Sequence, residues 1–277
     1  MTDAPTSSSS LADLWKARYR QPPPDGALPE NVVVRSLMAH RSVRSFSTAP
    51  VPQGVLESAI AAAQSASSSC NFQAWSVVAV TDPQRRARLA KLAGEQAFIA
   101  QAPLFLVWVA DLSRLEHVAE AQAQPHVALD YLESFVMAVA DTSFAAQNAA
   151  AAFESFGLGI VYVGAVRNHP SEIASELGLP PRTVAVFGMC VGHPDRRHPT
   201  AIKPRLPQSA VLHREKYAGG EEEIPAYDAC MTRFRTEQGL SAQDWSTSVI
   251  GRVRDAAALH GRDRLRTELV RRGFELR

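Results

Sequence analysis

The chain has 277 residues, 46% of them hydrophobic and 21% charged, so it can bury a sizeable core as one large domain or two small ones. Its 29 Lys and Arg against 28 Asp and Glu give a formal net charge of +1, which argues against a nucleic-acid partner. The three cysteines, Cys70, Cys190 and Cys230, form no CxxC pair, which argues against a disulfide scaffold or zinc ribbon and favours a reducing compartment.

The N-terminal stretch predicts a tail, residues 1–29, that carries one short helix. Leu11, Leu14, Trp15 and Tyr19 recur at helical spacing between a serine run and a proline-rich boundary. The first ten residues lack the basic start and apolar stretch of a signal peptide. No apolar run approaches the roughly 18 residues that a membrane span needs. We therefore expect a cytoplasmic protein with no membrane partner.

Helical and strand patterns alternate from Glu30 onward. Helices are predicted from near Glu30 to His40, from near Pro52 into the serines at 65–69, from the Asp82–Pro83 cap signal to Gly94, and over Ser171–Leu177. Short β-branched or apolar runs predict strands at Ser76–Thr81, Leu104–Ala110, Ile160–Val163 and Val184–Val191. The alternation indicates a mixed α and β fold, and the polar chain after Lys203 is predicted to be helical.

The longest predicted helix runs from His126 to Phe156 without proline or glycine. Large apolar residues recur along it among a series of alanines: Leu129, Leu132, Phe135, Met137, Val139 and Phe144. Because alanine favours helix and lets a second helix approach closely, we expect a central and largely buried helix. Gly157 is its predicted C-terminal cap.

Three polar segments are candidates for binding an anion. His40–Phe46 (HRSVRSF) concentrates basic side chains and hydroxyls that can bind a phosphate or a carbonyl oxygen, although a solvated basic helix end has the same pattern. Ser67–Gln73 (SSSCNFQ) can offer hydroxyls and N–H groups to a ribityl or phosphate group, or can simply end the preceding helix. Lys203–Arg205 places two cations around a proline, either toward one anion or as a rigid basic turn.

Several other kinds of site are argued against by the sequence. The glycines of Gly157–Gly164 lack GxGxxG spacing and precede a strand, so they do not predict a dinucleotide loop. Gly164 instead marks a place where the backbone can approach a flat ligand. There is no GxSxG elbow and no Walker sequence, and the eight histidines show no metal-ligand spacing, so no protein-bound metal is predicted.

Together these segments resemble the oxygen-insensitive NADPH nitroreductases and NADPH–FMN oxidoreductases of the nitroreductase superfamily. The resemblance runs from about Glu30 to about Pro207, and weakly on to the C-terminus. Its motifs are HRSxRxF, the serine-rich loop, Gly94–Gln96, Asp141–Thr142, GLGxVYxG, Arg167–Asn168, the FGxCxGxP of Phe187–Pro194 and Lys203–Pro207.

The resemblance implies an α+β nitroreductase-like fold, with a central mixed, mainly antiparallel sheet flanked by helices. It implies an intertwined homodimer that holds two FMN molecules in clefts at the dimer interface. In these terms residues 1–29 are the tail, 30–207 the FMN-binding core, and 208–277 a C-terminal helical arm of the same domain.

The resemblance also assigns cofactor contacts, all non-covalent. His40, Arg41 and Ser42 are expected at the phosphate and ribityl end of FMN, with Lys203 and Arg205 closing over it, and Arg44 near N1 and the C2 carbonyl. The ribityl group and ring edge are assigned to Ser68, Ser69, Gln73 and Gln96. Main chain against the ring is assigned to Tyr162, Val163, Gly164 and Ala165, where Ala165 replaces the family's usual second glycine. Arg167 and Arg262 are candidates for binding anionic groups of cofactor or substrate.

The implied activity is a ping-pong reaction. NAD(P)H passes hydride to FMN N5, and the reduced cofactor then delivers two electrons to a nitroaromatic, a quinone or free flavin. No side-chain acid or base is required. NADPH and NADH both stay open, because the arginine-rich loop expected after Tyr227–Asp228 retains Arg233 and Arg235 but lacks its later arginines. The alternatives are a specialised member, such as a reductive dehalogenase or flavin-consuming enzyme, and a non-enzymatic FMN-binding or redox-sensing protein.

Overall fold

The computed structural model describes residues 9–24 and 28–277. Contacts group the chain into two compact units. The first unit contains the described residues up to Arg41 together with Pro199–Leu259, and the second contains Ser42–His198 together with His260–Arg277. Each unit thus joins an early and a late stretch of chain, whereas the predicted segments 1–29, 30–207 and 208–277 are contiguous. That division stays a prediction.

The second unit is built on a four-stranded sheet. Its strands are β1 (Trp75–Val80), β2 (Leu104–Asp111), β3 (Gly159–Val163) and β4 (Thr183–Gly192). Their order is β1-β2-β4-β3, and every neighbouring pair is antiparallel. All residues of β2 are buried, as its apolar sequence predicts for a central strand. The α+β class, the mainly antiparallel sheet and all four predicted strands are confirmed, and the strand ends shift by only one residue.

The second unit also contains seven α-helices: α3 (Val55–Gln64), α4 (Pro83–Leu92), α5 (Ala97–Gln101), α6 (Ser113–Ala121), α7 (Leu132–Ser155), α8 (Pro170–Leu177) and α11 (Leu265–Arg271). The start and end signals of α4 act as predicted. The Asp82 side chain accepts a hydrogen bond from Arg85 N at 2.6 Å, and Pro83 occupies the first helical position. Gly94 follows the cap with φ +74°, the left-handed conformation that favours glycine.

Helix α7 begins later than predicted. Its start at Leu132 rather than His126 corrects the sequence expectation, because Tyr131 has extended backbone (φ −88°, ψ 149°). The chain terminus explains the interruption. The N–H of Leu132 donates to the Arg277 carbonyl at 3.2 Å, and Arg277 N donates to the Asp130 carbonyl at 3.0 Å. A pairing with residues far along the chain thus replaces helical bonds that local propensity would favour.

The buried face of α7 consists mostly of small residues, with the fully buried Phe153 as its one large apolar side chain. Its alanines pack with Leu106 and Trp108 of the sheet: Ala145, Ala146, Ala149 and Ala150. By contrast Leu132 and Phe144, expected on a largely buried helix, are 50% and 54% exposed, and so is Val136 at 52%. Alanine allows the helix axis to approach the sheet closely, which turns the large side chains outward. The helix ends at Ser155 with Phe156 as its cap, so Gly157, the predicted cap, follows one residue later, with φ +77°.

The first unit is helical in its described part. It contains α1 (Leu11–Tyr19), α2 (Val32–Met38), α9 (Ile224–Glu237) and α10 (Trp245–Val253). The predicted short N-terminal helix is confirmed as α1, capped by the Ser10 side chain, which accepts from Asp13 N at 3.2 Å. The helix expected from near Glu30 and the helical character after Lys203 are confirmed as well. No helix in the described part of the chain is both long and apolar enough to cross a bilayer.

Candidate functional site

The basic segment that follows α2 is attached to the outer edge of β3. Val43 N donates to the Ile160 carbonyl at 2.9 Å, and Ser42 forms a parallel bridge with the same residue. Val43 is 3% exposed and lies against Gly159, where an added Cβ would stand 2.5 Å from Val43 Cγ2. The bond to Ile160 and the space beside Gly159 therefore hold the Val43 side chain in the interior. The next residue, Arg44, is exposed.

The Arg44 guanidinium is available to an anion or a developing negative charge. Arg44 forms no ion pair or hydrogen bond with any residue that the structure describes. A nearby carboxylate would neutralise such a side chain and occupy its donors. The alternative of a solvated basic helix end does not match this geometry, because α2 ends at Met38 and Arg44 lies in the extended segment on β3.

The serine-rich loop is organised by Asp141 of α7. Its carboxylate accepts from Ser68 Oγ at 2.6 Å, from Ser69 N at 3.0 Å and from Ala74 N at 3.3 Å. The Ser68 hydroxyl accepts in turn from Gln73 N at 2.8 Å. Asp141 is only 2% exposed. The Ser68 hydroxyl, predicted to contact cofactor, therefore also holds the loop together.

Within this loop three residues other than glycine have left-handed backbone: Cys70, Asn71 and Gln73, with φ of 48°, 57° and 50°. Such conformations cost free energy and concentrate at functional sites. The bonds to Asp141 stabilise the loop in this shape and leave Ser69 and Gln73 exposed. Sequence reasoning did not assign Asp141 a role, although an acid within an alanine-rich helical face was a usable signal.

Gln96 lies at the start of α5, where its backbone N–H donates to the Ala90 carbonyl at 3.2 Å. Its side-chain amide donates to the Gly94 carbonyl at 3.2 Å. The preceding Glu95 has φ 57°, so the turn between α4 and α5 is another short left-handed segment. Gln96 keeps a partly exposed side chain whose carbonyl oxygen can still accept a hydrogen bond.

The end of β3 brings together the residues predicted to face the flavin ring. Tyr162 packs edge-on against Phe187 with ring centroids 5.2 Å apart, and its hydroxyl donates to Gln147 Oε1 at 3.4 Å. Burial raises the pKa of the Tyr162 hydroxyl, and the charge of Glu154 raises it further, so this hydroxyl stays protonated. Val163 is buried, whereas the next two residues, which begin a 3₁₀ turn, are partly exposed.

Arg167 lies over Gly164 and near Arg262. A Cβ added to Gly164 would stand 3.2 Å from Arg167 Nη2, so the missing side chain makes room for the guanidinium. Arg167 donates to the Val186 carbonyl. Desolvation lowers the pKa of Arg167, and the neighbouring charge of Arg262 lowers it further. Two guanidinium groups brought together at this cost are a suitable receptor for an anion.

The remaining predicted residues, His40, Arg41, Lys203 and Arg205, belong to the first unit. Here a residue that sequence reasoning missed, Arg18, connects two of them. Its Nη1 donates to the Lys203 carbonyl at 2.8 Å and its Nη2 to the His40 carbonyl at 2.8 Å. The first unit thus brings the two predicted basic segments together through one buried side chain.

The Lys203–Arg205 turn is supported from below by α9. The Tyr227 hydroxyl donates to the Pro204 carbonyl at 3.0 Å, and burial raises the pKa of this tyrosine. Lys203 and Arg205 are exposed, and the Arg205 guanidinium has only long contacts, 3.4 and 3.5 Å, to carbonyls of its own turn. Within the described residues Arg205 has no carboxylate partner.

The two arginines left after Tyr227–Asp228 have different surroundings. Arg235 is occupied by its own loop, since Nε donates to the Ser241 carbonyl at 2.8 Å and Nη2 to Ser241 Oγ at 3.2 Å. Arg233 lines a cavity of about 240 Å³ in the first unit, together with Arg20 and Arg205. Arg233 is therefore the better placed of the two to bind an anion.

One cluster of two glutamates and a histidine corrects the expectation that the histidines show no metal-ligand spacing. Glu116, Glu120 and His126 present ligand atoms within 4.8 Å of one another, because the turn after α6 returns His126 toward that helix. The Glu116 carboxylate already accepts from Arg182 Nε at 2.6 Å. This cluster is an ion-paired surface feature and is assigned no metal.

Comparison with known proteins identifies the fold that carries these residues. The nitroreductase family profile matches residues 37–193, and the profile of the family's C-terminal domain matches residues 203–277. The chain belongs to the nitroreductase family. Helix α1 and Arg18 precede both matched regions of this nitroreductase.

The match to individual relatives extends over nearly the whole length of each relative. An FMN reductase (NAD(P)H) of Bacillus subtilis is 40% identical over 225 residues, which are 79% of this chain and 90% of that protein. An NADPH-flavin oxidoreductase of Vibrio harveyi is 36% identical over 235 residues, 83% of this chain and 94% of that protein. The structure of Bacillus megaterium NfrA2 has a TM-score of 0.84 at 36% identity, covering 90% of this nitroreductase and 100% of that chain.

Replacing Asp141 tests its control of the serine-rich loop. We expect Asp141→Ala to lower the free energy of unfolding by about 2–4 kcal/mol, because buried donors lose a charged acceptor. Amide exchange at Ser69 and Ala74 should accelerate in the same variant. The measurement is urea unfolding combined with hydrogen exchange.

Asp82→Ala is the matched control, since it removes an aspartate that caps a helix at the surface and should cost only about 1 kcal/mol. It should leave exchange in the serine-rich loop unchanged. Equal exchange at Ser69 in both variants and the parent protein would contradict the role given to Asp141.

Proposed function

We propose that this nitroreductase is an FMN-dependent NAD(P)H oxidoreductase that reduces nitroaromatics, quinones or free flavin by two-electron, ping-pong transfer. The names of the relatives, FMN reductase and NADPH-flavin oxidoreductase, support the cofactor and the electron donor. The observation that carries the proposal is the attachment of the basic segment to β3 by the Val43–Ile160 bond. The bond places the exposed Arg44 beside β3, and among the described residues Arg44 has no carboxylate partner.

The donor chemistry of the predicted residues fits the parts of FMN. Exposed cations suit its phosphate, and exposed hydroxyl and amide groups suit its polar ribityl chain and ring edge. A glycine at the end of β3 suits the close approach of a flat ring to the backbone. Bound FMN would supply the redox chemistry, taking hydride from NAD(P)H and passing two electrons to the oxidant.

We assign the phosphate of FMN to His40, Arg41, Ser42, Lys203 and Arg205. Arg44 is assigned to the pyrimidine side of the ring, where its charge would favour the reduced cofactor. The ribityl and ring-edge contacts are assigned to Ser68, Ser69, Gln73 and Gln96. Main-chain contacts to the ring are assigned to Tyr162, Val163, Gly164 and Ala165.

Arg167 and Arg262 are assigned to anionic groups of the nicotinamide cofactor or of the substrate. Their mutual repulsion would fall when an anion binds between them, so binding would relieve an unfavourable interaction that the chain keeps in its place. The Tyr162 hydroxyl, whose raised pKa keeps it neutral, would add no charge to the ring face. None of these residues is asked to act as an acid or base.

We also propose that the protein is a cytoplasmic homodimer. On α7 the exposed apolar residues Leu132, Val136 and Phe144 follow at intervals of four and eight residues, so they form a stripe that spans about 120° of the helix circumference. An apolar face on a helix otherwise built to pack closely is typical of an interface with a second copy. All three cysteines are free thiols, in keeping with a reducing compartment.

Steady-state kinetics test the activity. With menadione or nitrofurazone as oxidant and NADPH or NADH varied, we expect parallel lines in double-reciprocal plots, the pattern of a ping-pong reaction. Intersecting lines would indicate that nucleotide and oxidant bind together before any product leaves, and would contradict the ping-pong reaction. Binding of FMN without turnover of either nucleotide would instead indicate a sensing or storage protein.

Replacing each of two arginines assigned to opposite ends of FMN should impair the protein in different ways. Arg205→Ala should weaken FMN binding by roughly ten- to a hundredfold, the effect of losing a charge-assisted bond worth about 1.5–3 kcal/mol, and excess FMN should restore activity. Arg44→Ala should retain FMN better but lower its reduction potential and slow its reduction by NAD(P)H, so excess FMN should restore little. FMN dissociation constants and flavin potentials measure the difference.

Arg252→Ala is the matched control, because Arg252 is an exposed arginine on α10 with no assigned ligand. It should change neither quantity. If Arg44→Ala and Arg205→Ala behave alike, the proposed orientation of the flavin is wrong.

The dimer proposal predicts the effect of a charge on α7. Phe144→Glu should convert the dimer to monomer, because a buried unpaired carboxylate is costly at an apolar interface. Light scattering measures the mass. Val118→Glu, at a residue of α6 that is 52% exposed, is the control and should remain dimeric. A monomeric parent protein that holds FMN and turns over would refute the proposal.

A further inference from the structure

Arg18, the penultimate residue of α1, is a buried arginine that donates to three main-chain carbonyl groups. Arg18 is only 7% exposed. Besides the bonds to Lys203 and His40, its Nη2 donates to the Met38 carbonyl at 3.1 Å. Its backbone is also engaged, since Arg205 N donates to the Arg18 carbonyl at 2.9 Å. One residue thus holds the Lys203–Arg205 turn by two bonds and the end of α2 by two more.

The position of Arg18 is fixed by apolar packing. Leu14, one turn earlier on α1, is fully buried and packs with Ile202 and Ala39, which are 2% and 8% exposed. Ala39 lies between Met38 and His40, and Ile202 precedes Lys203, so this packing holds the chain that carries the three carbonyl groups. Removing a guanidinium from water is costly, and the cost is offset only where the carbonyls stay in reach of the fork.

This arrangement changes the electrostatics of the two basic segments. The carbonyls at the end of α2 carry the negative end of the helix dipole, which repels an anion. The guanidinium of Arg18 binds those at Met38 and His40. Because a trans peptide points its C=O and N–H in opposite directions, the Arg41 N–H faces away from Arg18. The lone pairs of the His40 carbonyl therefore point to Arg18, and the N–H of Arg41 points away from it.

We propose that Arg18 is a positioning residue for the phosphate of FMN, acting through the His40 and Lys203 carbonyls and without touching the phosphate. The inference rests on the proposed function, which assigns that phosphate to His40, Arg41, Lys203 and Arg205. It gives α1 a role beyond covering the first unit. In the sequence, Arg18 precedes both regions that the family profiles match.

The test compares FMN with riboflavin, which lacks the phosphate. Dissociation constants of both are measured by flavin fluorescence for the parent protein and for Arg18→Met, which keeps an unbranched apolar stem. FMN affinity should fall ten- to a hundredfold, and riboflavin affinity should change less than threefold. Lys16→Met is the matched control, because it removes an exposed positive charge from the same helix. It should leave both affinities within twofold.

Arg18→Lys keeps the charge and tests the need for the planar fork, and it serves as well if Arg18→Met does not fold. It should lower FMN affinity at least threefold and spare riboflavin. Equal losses for FMN and riboflavin would mean a general structural effect and overturn the inference. Retention of FMN affinity within twofold in either folded variant would overturn it too.

The same measurement separates this inference from the proposed function. If the parent protein binds FMN no better than riboflavin, the phosphate assignment fails and the role of Arg18 fails with it. If the parent protein prefers FMN and the Arg18 variants keep that preference, only the role of Arg18 fails.

Discussion

The bond from Val43 N to the Ile160 carbonyl is the contact on which the proposed chemistry depends. Strand β3 lies at the edge of the sheet, so its outer backbone groups need partners. The segment after α2 supplies them, and Ser47 N, which donates to the His193 carbonyl at 2.9 Å, anchors its far end. Without this attachment Arg44 would be one more solvated surface charge.

The attachment is possible because Gly159 has no side chain. Val43 occupies the space that a Cβ there would fill, and so the basic segment lies close enough to bond to the strand. Gly164 follows the last residue of the same strand, and there a second missing side chain makes room for the Arg167 guanidinium. One glycine at each end of this edge strand thus allows a neighbouring segment to lie close to it.

The chain keeps several unfavourable arrangements at these residues. Left-handed backbone at Cys70, Asn71 and Gln73 is stabilised by a buried acid, and a buried guanidinium at Arg18 is stabilised by carbonyls. Both arrangements are costly, since strained backbone and a buried charge each lower the stability of the fold. Such features are typical of a protein that pays in stability to hold a charged ligand.

Sequence patterns predicted the parts of the fold that local chemistry decides. The four strands follow from short β-branched and apolar runs, and α4 follows from Asp82, Pro83 and Gly94. The start of α7 could not be predicted, because it depends on pairing with Arg277, which is distant in the chain. The exposure of Phe144 depends on how closely the alanines of α7 approach the sheet.

The candidate site divides in the same way. Residue types and motif order pointed to the cations and hydroxyls, including Arg44, because those groups are what a phosphate or a reduced ring requires. Asp141 and Arg18 were missed, since each acts on the backbone of a segment far along the chain. No local pattern marks a side chain whose partners are main-chain atoms brought near only by folding.

The most direct test of the central claim is an anaerobic titration of the FMN-loaded protein, followed by its visible absorbance. We predict that NADPH or NADH will bleach the flavin band in proportion to the nucleotide added, and that menadione added afterwards, still without oxygen, will restore it. A flavin band that neither nucleotide bleaches would contradict the claim that this chain passes electrons from NAD(P)H to an oxidant.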